Sequence, residues 1–220
     1  MYTNNITFDV NSILLTHEEN NTNTENTENI PDYYVKKYTF NNNEYKIIKY
    51  NKEKLNLYKQ NEDYENYNRL GKFRSVIIRD KKVVSYSPGK SLDYNSFKFQ
   101  NTDSSDCWVE DFIDGTMINV FYDNINETWE IATKSTVGGN IIFFNDTKNY
   151  KNFAPESENS KYYENHYNAT FRSLFFEACN SNNFNLNTLN RLYCYSFVMQ
   201  HPFNRIVTPV VTPNLFLINI

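Results

Sequence analysis

Glu110-Asp111-Phe112-Ile113-Asp114-Gly115-Thr116-Met117-Ile118-Asn119-Val120-Phe121 is the stretch whose reading decides the fold. Asp-Gly is a common turn pair, since Asp bonds to nearby backbone and Gly accepts conformations that other residues avoid. The run behind it alternates. Met117, Asn119 and Phe121 fall on one face of an extended strand, and Ile118, Val120 and Tyr122 on the other. Both faces carry apolar groups, so the pattern predicts a strand inside a sheet rather than at its edge. Asp123 to Glu127 is a polar turn, and Thr128 to Thr133 returns as the second arm of a hairpin.

Working outward, strand signals recur on both sides. Upstream, Tyr33 to Val35 and Tyr38 to Phe40 lead through a turn at Asn41 to Glu44 into Tyr45 to Tyr50. Phe73 to Ile78, Asp80-Lys81-Lys82 and Val83 to Tyr86 make a further hairpin, and 51–68 is polar, tyrosine-rich and helical at its start. Downstream, Tyr163, Tyr167, Phe171, Leu174, Phe175 and Ala178 recur at three- and four-residue steps, which predicts a helix over about 160–179. Asn180 to Asn183 stops it, and a shorter helix is expected over Asn187 to Tyr193. Tyr195 to Met199, Arg205 to Val211 and Leu215 to Ile220 then alternate with turns holding Pro202, Pro209 and Pro213. The chain ends inside an apolar run, which leads to the expectation that the domain continues beyond Ile220.

These elements imply an α+β class: a mixed, mostly antiparallel sheet around 73–135 and 195–220 with the 160–179 helix packed on it. Ile77, Val84, Ile118, Val120, Phe171, Leu174, Phe197, Ile206 and Val207 are the expected core. Residues 17–30, rich in Asn, Thr and Glu, have little to bury against the entropy of ordering and are expected to be a disordered linker. Ile6 to Leu15 before it is a short strand or a docking segment. The organisation is therefore an N-terminal segment over 1–31 and one domain over 32–220.

Composition bounds the function classes. The net charge is −4, so no global basic footprint exists and a polyanion would have to meet a local patch. About one residue in six is Asn, a bias that AT-rich codons explain. Aromatics at 17% argue for a folded body. Cys107, Cys179 and Cys194 have no zinc spacing and no disulfide framework, which suits buried or half-buried thiols of an intracellular protein. His201 has no second ligand at metal spacing, so no metal site is expected. No long apolar span or secretory segment stands out, and no membrane partner is expected. Walker, Rossmann and zincin patterns are absent.

Four blocks in order carry a resemblance. They are Phe73-Arg74-Ser75-Val76-Ile77-Ile78, Val84-Ser85-Tyr86-Ser87-Pro88-Gly89-Lys90-Ser91, Ile113-Asp114-Gly115-Thr116 with its hairpin to Lys134, and Tyr195 through Pro202-Phe203-Asn204-Arg205-Ile206-Val207. Together they resemble the adenylyltransferase domain of phage-type RNA ligases, within the ligase and mRNA-capping nucleotidyltransferase superfamily. The resemblance implies a partial nucleotidyltransferase domain of the ATP-grasp-like ligase kind. It places Arg74, Lys90, Asp114, Gly115, Lys134 and Arg205 at nucleotide-binding positions, and Asn204 beside the last of them. It also exposes two departures. Phe112 stands where the family's Lys-x-Asp-Gly carries the lysine that attacks the α-phosphate, and a phenyl ring has no lone pair for that step. Val198 stands where the family carries a ribose-contacting acid. The later metal- and triphosphate-binding motifs would lie beyond Ile220.

Each site residue also has a plainer reading. Arg74 and Lys90 are phosphate contacts or a solvated pair at hairpin ends. Lys134 opens a loop whose Gly138-Gly139 would admit a close ligand, although an ordinary loop is the simpler reading. Trp108 and Trp129 flank the hairpin and suit core packing more than base stacking.

Three functions compete. The first is a catalytically degenerate RNA-ligase-like protein that keeps a nucleotide- or RNA-binding surface. The second is an active ligase using Lys90 or Lys134 as nucleophile, or a partner chain that supplies the missing motifs, with ATP and Mg as cofactors. The third is a structural or interaction protein of a large DNA virus, in host cytoplasm or virion, on an old enzyme fold. Phe112 is expected to share a face with Asp114 and to aim into a cleft approached by Arg74, Lys90 and Lys134.

Overall fold

The computed structural model describes residues 30–142, 169–204 and 206–220, apart from 102, 104 and 106. The expectations for residues 1–16, for the 17–30 linker (Ile30 aside), for the helix portion 160–168 and for Arg205 lie outside the described residues. The chain divides into two compact units, one over 1–112 with 219–220 and one over 113–218.

The first unit opens with β1 (Tyr33–Phe40) and β2 (Asn43–Tyr50), antiparallel in unbroken register from Tyr33 opposite Tyr50 to Phe40 opposite Asn43. Asn41 and Asn42 turn the chain with φ of 49° and 61°, a two-residue reversal that Asn tolerates well. Two helices follow, α1 (Lys52–Gln60) and α2 (Tyr64–Gly71), capped by the side chains of Asn51 and Asp63. Then β3 (Val76–Arg79) pairs with β2, and β4 (Lys82–Tyr86) completes a sheet ordered β1-β2-β3-β4. Ile48, Leu55, Tyr67, Leu70, Phe73 and Val76 form its core. A further helix, α3 (Tyr94–Gln100), capped by Asp93, follows a stretch in which the apolar spacing carries no clear helical period.

The second unit holds β5 (Thr116–Asp123), β6 (Thr128–Ala132), α4 (Phe171–Ser181), β7 (Tyr195–Gln200) and β8 (Asn214–Asn219), with sheet order β6-β5-β7-β8. β5 is central, as its two apolar faces require, and pairs antiparallel with both β6 and β7. Asp123 shapes the hairpin turn, its Oδ1 accepting the N–H of Ile125 at 2.9 Å. Thr170 and Ser173 form a reciprocal capping box that starts α4. Ile118 stands opposite Phe197 and Val120 opposite Tyr195, so these four share one sheet face. Phe175 of α4 meets Phe197 at 6.1 Å between ring centroids, which places the helix on that face.

The class is α+β, with two four-stranded sheets rather than one. The 73–86 hairpin does not join the 116–132 hairpin: β3 pairs with β2 and β4, and β5 pairs with β6 and β7. Ile77, Ile118, Val120, Phe171, Leu174 and Phe197 are buried. Three expected core residues are not. Val84 is half-buried because a bulge pairs Ile77 with Ser85 and Ile78 with Val83, leaving Val84 as the extra residue. Ile206 and Val207 are 43% and 70% exposed, since Ile206 to Val211 is an irregular loop and not a strand. The region expected as a short helix over Asn187 to Tyr193 is a single 3-10 turn at Leu186–Thr188.

Candidate functional site

The Asp-Gly block sits at the entry to β5. Residues 107–114 have no regular secondary structure, and the strand begins only at Thr116. The strand period on which the shared-face expectation was argued therefore does not apply at Phe112 and Asp114. The two side chains differ in surroundings. Phe112 is 94% exposed, while the Asp114 carboxylate is engaged. Its Oδ2 accepts the backbone N–H groups of Val207 at 2.9 Å and Thr208 at 2.8 Å. Its carbonyl accepts Gln200 Nε2 at 2.8 Å.

A second tie runs beside the first, where Asn204 Nδ2 donates to Thr116 Oγ1. The Asp-Gly block and the Pro-x-Asn-Arg-Ile-Val block, almost ninety residues apart in sequence, are thus fastened on both sides of position 205. This explains why Val207 faces solvent: its backbone is held by Asp114 rather than by a neighbouring strand. Sequence reading missed this role for Asp114. The one available signal was a carboxylate at a turn, which is a standing acceptor for loop N–H groups.

Gly115 makes the approach possible. A Cβ there would stand 2.6 Å from the Met199 carbonyl oxygen and 2.7 Å from Val198 Cγ1, closer than real contacts allow. Val198 therefore packs its isopropyl group against the Asp-Gly turn. His201 follows β7, fully buried. Its Nδ1 accepts the N–H of Phe203 at 3.2 Å and its Nε2 lies 3.5 Å from Glu177 of α4. Among the described residues, no three His, Cys, Asp or Glu side chains come together as a metal would need.

The basic residues divide between the units. Arg74 and Lys90 belong to the first, and Lys134 to the second. Lys90 Nζ donates to Tyr67 Oη at 3.2 Å and lies over that ring at 5.8 Å from its centroid. Lys134 is half-buried in the loop after β6, where the Thr133 and Thr136 hydroxyls bond at 2.9 Å.

The backbone N–H bonds from Thr208 and Val207 hold the Asp114 carboxyl below the usual carboxylate range. A depressed folded pKa means that the ionised group stabilises the fold above the unfolded value near about 3.9, and that this is lost as pH falls through the lower folded value. Asp114→Asn keeps an acceptor but loses the titration. Its urea midpoint is expected to fall less than that of the unaltered protein between about pH 5 and pH 2. Parallel curves for the two proteins would show that the carboxylate bonds contribute nothing.

No protein-family model matches the chain, and no solved structure does. One curated relative does. Over 112 residues, 49% of this chain, it is 32% identical to a protein named RNA ligase from Rhodothermus phage RM378. That is a likeness to part of an RNA ligase. The match spans 21% of the relative's length, about a fifth. No helix among the described residues is long and apolar enough to cross a membrane.

Proposed function

We propose that this chain is a catalytically degenerate RNA-ligase-like protein of the nucleotidyltransferase kind, which keeps a nucleotide- or RNA-binding surface. The observation that carries the reading is Phe112. In Phe112-Ile113-Asp114-Gly115 it takes the place of the attacking lysine, and its exposed ring can stack on a base but cannot form a phosphoramide. Two further features support it. Asp114 is spent on the Val207 and Thr208 amides, and Val198 supplies no acid for a ribose. Arg74, Lys90, Lys134 and Arg205 are the candidate phosphate contacts, since phosphate calls for cationic, multi-donor groups.

Incubation with radiolabelled ATP or GTP and Mg, followed by denaturing electrophoresis, tests this. No labelled band is expected from the unaltered protein, nor from Phe112→Lys, because the acid at 198 is still missing. Equilibrium binding of nucleotide or RNA is expected to persist. A strong ATP-dependent band would overturn the degenerate reading and turn attention to Lys90 and Lys134 as nucleophiles. Absence of any nucleotide or RNA binding would leave a structural or interaction role on the same fold.

A further inference from the structure

A groove of about 710 Å³ opens on the second unit, away from the Asp-Gly turn in sequence, between the start of β6 and the far end of α4. Trp129 and Phe176 line it, together with Arg172, Asn180, Asn183 and Asn187. We propose that this groove takes an unpaired base of an RNA strand. The proposal rests on the RNA-ligase-like reading and names the substrate class for a site that reading does not include.

Size comes first: the volume falls within the range of small-molecule sites and suits a base with its ribose. Flat surfaces come next. The Arg172 guanidinium lies over the Phe176 ring, 5.2 Å from its centroid, and bases stack on aromatic rings and on guanidinium planes alike. Charge then separates base from phosphate. Arg172 Nη1 is already bound to Glu130 Oε2 at 2.7 Å and to the Gly138 carbonyl at 3.2 Å, and Glu127 adds an acidic side chain to the lining. Among the described residues, the groove lining thus has no cation besides Arg172, which Glu130 already pairs. What it does carry is the side-chain amides of Asn180, Asn183 and Asn187, each with both donors and an acceptor, as the edge of a base requires. Trp129, 6% exposed, leaves its buried Nε1 without an acceptor among the described residues.

The strand's phosphates have a partner nearby. Arg191 is exposed and lies over the Tyr122 ring at 4.5 Å, and that ring meets Trp129 at 5.3 Å. A guanidinium thus stands one aromatic ring from the groove wall. The Cys179 thiol in the lining is pushed up to about 11 by burial, so it offers no thiolate.

The test uses the full chain and a short fluorescein-labelled oligoadenylate, with binding read by anisotropy at several salt concentrations. The paired change Asn183→Asp and Asn187→Asp places two carboxylates at an exposed rim and is expected to weaken binding about tenfold or more. The paired change Asn41→Asp and Asn42→Asp, at an exposed hairpin turn of the first unit, adds the same two carboxylates as a charge control and is expected to leave binding unchanged. Arg191→Gln is expected to lower the salt slope by about 0.7, the mark of one lost phosphate contact on a single strand. In a Trp108→Phe background Trp129 is the sole indole, and its emission is expected to be quenched by the RNA. If the unaltered protein binds RNA and the paired variant binds equally well, the groove is overturned while the RNA reading stands. If the unaltered protein binds no RNA, the groove proposal is overturned, and the proposed function is left with its nucleotide-binding arm alone.

Discussion

Arg172→Leu is expected to destabilise the second unit by about 3 kcal/mol, the lower end of what removing one partner of a buried ion pair costs. Glu130 is 2% exposed, and its Oε2 takes a 2.7 Å bond from Arg172 Nη1 across 42 residues of sequence. Without the guanidinium a carboxylate is left in the protein interior with neither water nor that cation. The lower end applies because the Arg172 side chain is itself 28% exposed and water already shares its solvation. The same side chain holds the Gly138 carbonyl, so the loop carrying Lys134 loses an anchor as well. Urea unfolding measures the loss, and the double variant Glu130→Leu with Arg172→Leu is expected to regain most of it, because no unpaired charge remains buried. A single-variant loss of only a few tenths of a kcal/mol would show that the pair is solvated and structurally idle.

Gly115→Ala is the second large effect, again about 3 kcal/mol, from forced overpacking between two strands. The added methyl would meet a backbone oxygen, that of Met199, and not the movable tip of a side chain. β5 and β7 pair Thr116 with Met199, so relief requires the strands to part at the start of their ladder. Asp114 would be carried away from Val207 and Thr208 in the same movement. Gly89→Ala serves as comparison: its nearest new contact is 3.3 Å, to the Gly71 carbonyl oxygen, and a few tenths of an ångström would relieve it. Faster amide exchange at Thr116 to Ile118 is expected in Gly115→Ala alone. An unchanged urea midpoint would mean that the turn has room that the geometry denies.

Much of the fold was legible because it is written locally. Alternation along Met117 to Tyr122 depends only on the period of a strand, and it placed β5 at the centre of its sheet. The Asn41-Asn42 and Asp123–Glu127 turns follow from side chains that tolerate or shape a reversal. The Phe171, Leu174, Phe175 and Ala178 stripe announced the buried face of α4. Where local reading went astray, a distant partner was responsible. Val84 was displaced by a bulge that only its pairing with β3 creates, and Ile206 and Val207 by the loop that Asp114 captures.

For the candidate site the division is sharper. Residue types alone establish that position 112 has no nucleophile and position 198 no acid, since a phenyl ring and an isopropyl group lack the chemistry in any conformation. Tertiary structure alone decided the task of Asp114, the fastening of Asn204 to Thr116, and the assembly of Trp129, Arg172 and Phe176 into one groove. Those arrangements join residues dozens of positions apart. Their partners are chosen by which strands pair and where a helix comes to rest, and sequence spacing carries no trace of that choice.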